Sequence, residues 1–430
     1  MNLWRIALRN VARNKRRSLL SGTAIAVATL AVVLLFSMIA GMLGDTVSIA
    51  LTYDTGHVQV RHPEFGRYEH LSPVHLAVAN AAEVQARLEQ LPAVAAVLPR
   101  VRFGGAVYRE DQNHAVYGIG VDFDREIATA ARRLPHLAPA AGAAAPGLED
   151  FARVWRLDLF GGALPDPAAR ELVMSKTLAD ELGVAVGDKL TILTRTAVMS
   201  TQAWTFRVSG LVGFPVGGLS RVVLLPIGVA QTFLQLDASG AVTDLLLYTE
   251  HDDQVPALAE AVRDAVGDRL EVRSWTEENA MYRLFQLATR IYDIIALVFF
   301  LLATTVIVNT TMMVVYERMR EIGTIAALGM TGAQITRLFF LEALFIGVAA
   351  ALVGVGLGIA LVVPLSQVGI DYTEAMEGVE LNMSNIIYPQ LNLRSTVLVL
   401  CYSIAVTAAA SFWPTRRAAR LHPVTALRAT

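Results

Sequence analysis

The residues best placed to do chemistry form a short charged segment between two long apolar runs. Glu317 and Glu321 stand four residues apart, which places both carboxylates on one face of a helix. The segment combines charges, apolar side chains and two glycines: Glu317, Arg318, Arg320, Glu321, Ile322, Gly323, Leu328 and Gly329. These residues form no catalytic constellation, so the chemistry they offer is recognition of another molecule through charge and apolar contact.

The same segment predicts a short helix within residues 317–335. Its composition is helical, and Gly329 can end a helix in a left-handed turn. Apolar side chains such as Ile325 have no core of their own to enter, so they must face the membrane surface or another protein. A helix of this kind would present a rigid, charged face to a soluble partner on one side of a bilayer. A solvated loop without a partner is the alternative.

Several patterns typical of enzymes and metal sites are absent from the sequence. No lysine follows a glycine, so the usual phosphate-binding loop for ATP is missing, and no H-E-x-x-H zinc pattern occurs. His57 and His62 could lie near each other, but solvated strand ends are the simpler explanation. Cys401 is the single cysteine, so no disulfide framework can form. We therefore expect no enzyme activity, no cofactor and no metal in this chain.

Glu342 is a second candidate site because it lies at the edge of a long apolar run. A carboxylate at a membrane edge is unfavourable unless it is paired. The simpler prediction is a structural pair with an arginine, either Arg337 or one in the N-terminal segment. A functional role for Glu342 is the alternative.

Composition indicates a membrane protein that also has a water-exposed domain. The chain has 430 residues, of which 54% are hydrophobic. Four runs contain the roughly 20 apolar residues that cross a bilayer: residues 18–43, 287–316, 336–366 and 394–415. The first could be a signal peptide, but its apolar core is longer than the roughly 7–15 residues of such signals. The net charge of −2 gives no argument for binding nucleic acid, and we expect none.

The distribution of basic residues predicts the orientation in the membrane. Residues 1–17 and 416–430 are rich in arginine, and the loop at 317–335 also carries arginines. Positively charged loops stay on the cytoplasmic side. The loop at 367–393 is acidic, so it and the large segment at 44–286 are expected outside the cytoplasm.

The N-terminal segment, residues 1–17, predicts an amphipathic helix. Apolar residues such as Trp4 and Leu8 alternate with basic residues such as Arg5 and Arg9 at helical spacing. A helix with a basic face is suited to lying among the headgroups of membrane lipids. The alternative is that these charges only set the orientation of the first span.

The outer segment, residues 44–286, has the patterns of a mixed α and β domain. Strand–helix–strand signals occur in residues 44–104 and again in residues 237–286, which predicts one α+β part split by an insertion. Residues 105–236 predict the β-rich insertion. Residues 276–316 predict a helix about 60 Å long at 1.5 Å per residue, which could carry motion from the outer domain to the charged segment. The predicted fold is an α-helical membrane protein with four transmembrane helices plus a large extracytoplasmic α+β domain.

Three glycines in the third apolar run indicate close helix packing. Gly354, Gly356 and Gly358 include a G-x-x-x-G pattern, and small residues let membrane helices approach each other. The pattern fits packing within one subunit and dimerisation equally well.

Three segments carry a resemblance to a known family. They are the run N-x-x-x-x-x-x-x-E-R-x-R-E-I-G-x-x-x-A-L-G at residues 309–329, FFLEALFIG at 339–347 and PTRRAARLHPVTALR at 414–428. The chain resembles the FtsX-like/MacB-type permease family of ABC transporters over essentially its whole length. The C-terminal motifs are the most specific part of the resemblance.

The resemblance implies a complex and a mechanism. The mechanism is mechanotransmission, in which ATP hydrolysis on a separate ATPase moves the periplasmic domain, and the expected substrate is a lipoprotein or another amphiphile. It implies a bacterial inner-membrane permease that works as a dimer, with a second copy or a paralogue, and binds two ABC ATPase subunits. ATP and magnesium would lie on the ATPase, and the segment at 317–329 would be the coupling helix. No ATPase domain precedes the first span, which favours a lipoprotein-release-like permease without a fused ATPase. A periplasmic chaperone or adaptor would be a further partner.

Two other functions remain open from the sequence. The first is an efflux permease linked to an adaptor, and the second is an FtsX-like regulator of a periplasmic cell-wall hydrolase that transports nothing. Substrate-stimulated ATPase activity would separate a transporter from a regulator.

Overall fold

The structure is a computed structural model with two compact units. It describes the following residues: 3–13, 15–109, 112–133, 147–278, 280–317, 324–325, 329–372 and 386–418. The helical unit comprises Met1–Gly44, Leu284–Ile370 and Ile387–Thr430. The sheet unit comprises Asp45–Arg283 and Asp371–Ile386.

The described helices include long apolar ones and short ones between strands. The α-helices are α1 (Leu3–Arg13), α2 (Lys15–Ile49), α3 (Ala81–Leu88), α4 (Phe123–Arg133), α5 (Leu148–Val154), α6 (Lys176–Leu182), α7 (Ile227–Phe233), α8 (Val255–Val266), α9 (Trp275–Glu278), α10 (Ala280–Glu317), α11 (Gly332–Val368) and α12 (Leu393–Ala418). A π-helical turn, Ala50–Asp54, continues α2.

The described strands lie mostly in the sheet unit. They are β1 (Val58–Arg61), β2 (Ala96–Arg109), β3 (Gln112–Val121), β4 (Asp158–Gly162), β5 (Glu171–Ser175), β6 (Lys189–Arg195), β7 (Thr201–Gly213), β8 (Val222–Pro226), β9 (Asp244–Tyr248), β10 (Glu271–Ser274), β11 (Ile370–Asp371) and β12 (Ile386–Ile387).

Among the described residues, three helices are long and apolar enough to cross a membrane. They cover Ser18–Asp54, Gly332–Val368 and Leu393–Phe412, and they contain most of the first, third and fourth predicted spans. The second predicted span, residues 287–316, lies inside the 38-residue helix α10. The predicted total of four transmembrane helices is therefore not confirmed, and the second span stays a prediction.

Small and hydroxyl-bearing residues pack the helices of the helical unit. Gly354 and Gly358 of α11 face α2, whereas Gly356 has open space beside it. Thr29 of α2 and Ser403 of α12 share a buried hydrogen bond of 3.0 Å between their hydroxyl oxygens. Close approach and interhelical hydrogen bonds are the main contacts available between helices in lipid. The G-x-x-x-G pattern is thus covered within this chain.

In the described part of the sheet unit, ten strands form one sheet. Their order is β10–β1–β9–β2–β3–β8–β5–β7–β4, and β6 pairs with both β2 and β7. The strands β2, β3, β8, β5, β7 and β6 therefore close into a ring. Strand β6 alternates buried and more exposed side chains, with Leu190 and Ile192 buried, as expected for a strand with one face on a core.

Strands from both halves of the predicted split part lie side by side. In β1, Val60 is opposite Leu245 of β9 and Val272 of β10. Strand β2 crosses the predicted boundary between residues 104 and 105. Its first half pairs with β9, and its second half pairs with β6. Strand β2 therefore belongs to both predicted parts, and no local sequence pattern indicates that one strand would run through both.

Local signals explain where several elements begin and end. Helix α6 begins after Ser175, whose Oγ accepts a hydrogen bond from the Leu178 N–H at 3.2 Å. It ends at Leu182, and the next residue, Gly183, has a φ of +61°. Serine before a helix and glycine after it are the preferred caps. Strand β9, helix α8 and strand β10 follow one another within residues 237–286, where strand–helix–strand signals predict them.

Candidate functional site

The charged segment between α10 and α11 is only partly within the described residues. Helix α10 ends at Glu317, and residues 324–325 are helical. The remaining residues predicted for this site lie outside the described part of the chain: Arg318, Arg320, Glu321, Ile322, Gly323 and Leu328. Their assignment to a coupling helix stays a prediction.

Gly329 ends the segment in the turn that the sequence predicts. Its φ is +96°, and the Met330 N–H donates a hydrogen bond to the Ile325 carbonyl oxygen at 3.2 Å. A bond over this separation, beside a residue with positive φ, is typical of a helix C-cap. A Cβ on Gly329 would have no neighbour within 4 Å, so backbone conformation rather than space favours glycine here.

The next helix begins directly after this turn. The Thr331 N–H donates a hydrogen bond to Oε1 of Gln334 at 2.9 Å, which is one half of a capping box. Helix α11 then starts at Gly332. Two residues, Met330 and Thr331, therefore separate the glycine from a helix of 37 residues. The charged segment is therefore joined to α11 by a connection of only two residues.

Glu342 lies on α11 and is buried by the N-terminal helix. Its side chain is only 8% exposed, and Asn10 Nδ2 donates a hydrogen bond to Glu342 Oε1 at 2.6 Å. Ala7, one turn earlier in α1, is fully buried. The N-terminal helix therefore supplies a partner to Glu342. That partner is an amide, and the predicted arginine partner stays a prediction.

The outward side of α1 carries apolar and basic residues together. Trp4 and Leu8 are each about half exposed, and the Arg5 guanidinium lies 5.3 Å from the centre of the Trp4 ring. Such a surface suits the boundary between headgroups and acyl chains, where tryptophan is favoured. The proposed contact with membrane lipids is consistent with this arrangement and stays a prediction.

A buried ionic network in the sheet unit was not predicted from the sequence. Arg100 and Glu126 form an ion pair of 2.8 Å, with side chains 0% and 2% exposed. Arg102 Nη1 lies 2.9 Å from Asp54 Oδ1, and Arg102 Nε lies 3.5 Å from Asp244 Oδ2. Arginines two residues apart on one strand usually indicate a solvated face, which is why their burial was missed.

The charge state of this network follows from its surroundings. Burial by itself would lower the pKa of Arg102, but attraction from Tyr117, Asp244 and Asp54 raises that pKa well above its usual value. Burial also raises the pKa of Tyr117 to about 12. At neutral pH the guanidinium is therefore charged and the phenol is neutral.

Two family models match this chain. The model described as MacB-like periplasmic core domain matches residues 18–265, which is more than half of the 430 residues. The model described as FtsX-like permease C-terminal matches residues 294–423. The chain belongs to the FtsX-like permease family with a MacB-like periplasmic core domain. The resemblance inferred from the sequence motifs is confirmed.

Relatives of this permease include proteins of lipoprotein-releasing systems. It is 27% identical over 275 residues to the lipoprotein-releasing system transmembrane protein LolC of Neisseria meningitidis serogroup B, covering 61% of this chain and 66% of LolC. It is also 27% identical over 275 residues to the corresponding protein LolE of Haemophilus influenzae, covering 60% of this chain and 64% of LolE. Each match spans less than two thirds of the relative.

A solved structure also resembles this permease. The periplasmic region of MacB from Actinobacillus actinomycetemcomitans is 12% identical, with a TM-score of 0.32, covering 51% of this chain and 88% of that one. Within the chain, the permease match contains the turn at Gly329 and Glu342, and the core-domain match contains the buried ion pairs.

Proposed function

We propose that this chain is the permease subunit of an ABC transporter in the bacterial inner membrane. A separate ATPase subunit would bind and hydrolyse ATP, and the permease would convert that event into motion of its periplasmic domain. The observation that carries the proposal is the turn at Gly329. It ends the charged segment within two residues of α11, so movement of the segment would be transmitted to that helix.

The charged segment would be the surface that the ATPase contacts. It follows α10 at Glu317 and is fixed at its other end by the Met330–Ile325 hydrogen bond. If the predicted helix forms in this segment, it would transmit a push better than a flexible loop, since less of the displacement is lost in backbone rotation. Its residues would transfer force and carry no catalytic role.

The complex would contain two ATPases and two permeases, the second permease being another copy or a paralogue. Both termini would be cytoplasmic, and the MacB-like core domain would be periplasmic. ATP and magnesium would bind to the ATPase. Membrane lipids would contact α1, and a periplasmic chaperone or adaptor would complete the pathway.

The substrate we propose is a lipoprotein or another amphiphile that leaves the outer leaflet of the inner membrane. The similarity to two proteins of lipoprotein-releasing systems supports this class. An ATPase on the cytoplasmic side cannot touch such a substrate directly. Mechanical transmission through the permease, or mechanotransmission, is therefore the mechanism we propose.

The experiment that tests the coupling role uses Gly329→Trp in the complex purified from native membranes, with its ATPase identified by mass spectrometry. A residue with a side chain is disfavoured at a φ of +96°, so the turn should change and stimulation of the ATPase should fall at least fivefold. The matched control is Gly240→Trp, because Gly240 also has positive φ and open space but lies in the sheet unit.

A second substitution tests the charges themselves. Glu321→Lys should weaken copurification of the ATPase, whereas Glu83→Lys on the exposed surface of α3 should not. Normal ATPase binding and stimulation in both Gly329→Trp and Glu321→Lys would overturn the proposal. Binding of a cell-wall hydrolase without substrate-stimulated ATPase activity would instead indicate a regulator.

A further inference from the structure

The carboxyl-terminal end of α2 and its π-helical turn, residues 45–54, belong to the sheet unit and lie against its central strands. The last carbonyl groups of a helix have no partner within the helix and must be satisfied from elsewhere. Tyr248 Oη donates a hydrogen bond to the Leu51 carbonyl oxygen at 2.8 Å. Arg100 donates to the next two carbonyl oxygens, at 3.0 Å to Thr52 and 3.3 Å to Tyr53.

The last carbonyl of the turn, that of Asp54, is also bonded from the sheet. Arg102 donates to the Asp54 carbonyl oxygen through Nη2 and to the Asp54 carboxylate through Nη1. Four successive carbonyls, residues 51–54, therefore accept hydrogen bonds from three side chains. We call these three donors, Arg100, Arg102 and Tyr248, the carbonyl clamp.

The charges of the carbonyl clamp are compensated. Arg100 pairs with Glu126, and Arg102 pairs with Asp54 and Asp244. Cations at the carboxyl end of a helix are also favoured by its dipole. A buried charge that keeps its partners holds its position firmly, because moving away would leave an unpaired charge in an apolar interior.

The three donors lie on neighbouring strands in the middle of the sheet, Arg100 and Arg102 on β2 and Tyr248 on β9. Strands β2 and β9 pair directly, with Arg100 opposite Asp244 and Ala96 opposite Tyr248. The Arg100 guanidinium also lies 4.6 Å from the centre of the Trp155 ring. The end of the helix is therefore bonded to central strands rather than to an edge or a loop.

We propose that Arg100, Arg102 and Tyr248 are positioning residues that make the end of α2 and the centre of the sheet move as one body. The inference rests on the proposed function, because it assigns a path for the transmitted force. The sequence suggests the helix at 276–316 as the connecting rod, whereas the carbonyl clamp assigns that role to α2.

The first test is hydrogen exchange on the full-length chain in lipid nanodiscs. The Thr55 and Gly56 amides both donate to the Ala50 carbonyl, so their exchange reports on the end of the turn. Tyr248→Phe removes one hydrogen bond and should raise exchange about two- to tenfold, and Arg100→Met should raise it further. The controls Tyr108→Phe and Arg87→Met change exposed side chains and should leave exchange unchanged.

The second test is stimulation of the copurified ATPase. Tyr248→Phe should lower stimulation at least twofold while the thermal midpoint of the chain stays within the range of the controls. If the Tyr248 hydroxyl only stabilised the fold, ATPase stimulation would stay unchanged. If Arg100→Met fails to fold, Tyr248→Phe decides the matter.

The outcomes separate this inference from the proposed function. If exchange of the Thr55 and Gly56 amides is unchanged in Tyr248→Phe, the carbonyl clamp does not hold the end of the turn and the inference is overturned. Faster exchange with unchanged ATPase stimulation overturns its role in force transfer and leaves the proposed function standing. Absence of stimulation in the unmodified complex overturns the proposed function and the force-transfer role together, while the exchange data still decide whether the clamp holds the helix end.

Discussion

Gly354 on α11 and Ala26 on α2 are in such close contact that a Cβ added to Gly354 would lie 2.5 Å from the Ala26 carbonyl oxygen. One turn later, a Cβ on Gly358 would lie 2.7 Å from Val33 Cγ1. Both distances are shorter than van der Waals contact, so these positions tolerate nothing larger than glycine unless the helices separate. Two glycines four residues apart thus fix the packing of α11 on α2.

We expect Gly354→Leu to destabilise the helical unit by about 1–3 kcal/mol, because overpacking forces backbone shifts. Gly356→Leu is the matched control, since a Cβ at Gly356 meets no atom within 4 Å. Thermal unfolding in detergent micelles measures the difference. Equal midpoints for the two variants would contradict the close packing of α2 and α11.

Gly329→Ala should weaken the turn before α11 by about 1–2 kcal/mol, because a Cβ is disfavoured at positive φ. Gly329→Asn should have a smaller effect, since asparagine tolerates such turns better. Exchange of the Met330 amide, which donates to Ile325, is the measurement. The prediction fails if alanine and asparagine give the same exchange rate as glycine.

Asn10→Leu should release α1 from α11. It removes the donor that bonds Glu342 Oε1 at 2.6 Å and should cost about 1–3 kcal/mol, the penalty for a buried acceptor that loses a partner. Limited trypsin digestion at Arg5 and Arg9 reports the release. Asn113→Leu, on an exposed residue of the sheet unit, is the control. Equal digestion of the two variants would argue against the contact.

Glu126→Gln should destabilise the sheet unit by about 3–5 kcal/mol, because it leaves the buried Arg100 charge without its partner. Glu181→Gln should change stability by no more than about 1 kcal/mol, because its pair with Arg221 is partly exposed. Urea unfolding of the full-length chain, followed by tryptophan fluorescence, compares them. A small effect of Glu126→Gln would show that the pair is dispensable.

Val198→Cys, in a Cys401→Ser background, should react with a membrane-impermeant maleimide in intact spheroplasts. Val198 is 65% exposed in the sheet unit, and the orientation predicted from loop charge places this residue outside the cytoplasm. Labelling is read as a mass shift of the purified chain. Reaction only after the membrane is permeabilised would reverse the predicted orientation.

Much of the local structure could be predicted from the sequence because its signals are local. Apolar run length indicated the helices α2, α11 and α12, which contain residues 18–43, 336–366 and 394–415. Gly329 gave the end of the charged segment, since glycine adopts positive φ without a steric penalty. The strand–helix–strand signals in residues 44–104 and 237–286 indicated β1, β9 and β10. Each of these depends on residues within a few positions of one another.

Only the tertiary structure shows which residues of these elements contact each other. Asn10 and Glu342 are 332 residues apart, and Arg100 reaches the carbonyl of Thr52 across 48 residues. From the sequence alone, a charged side chain on a strand is expected to be solvated. Only the packed fold shows that it is buried and which residue it pairs with. A glycine pair likewise fits a partner helix in the same chain or in another copy. Burial and pairing over such separations depend on the packing of the whole unit, so no local pattern specifies them.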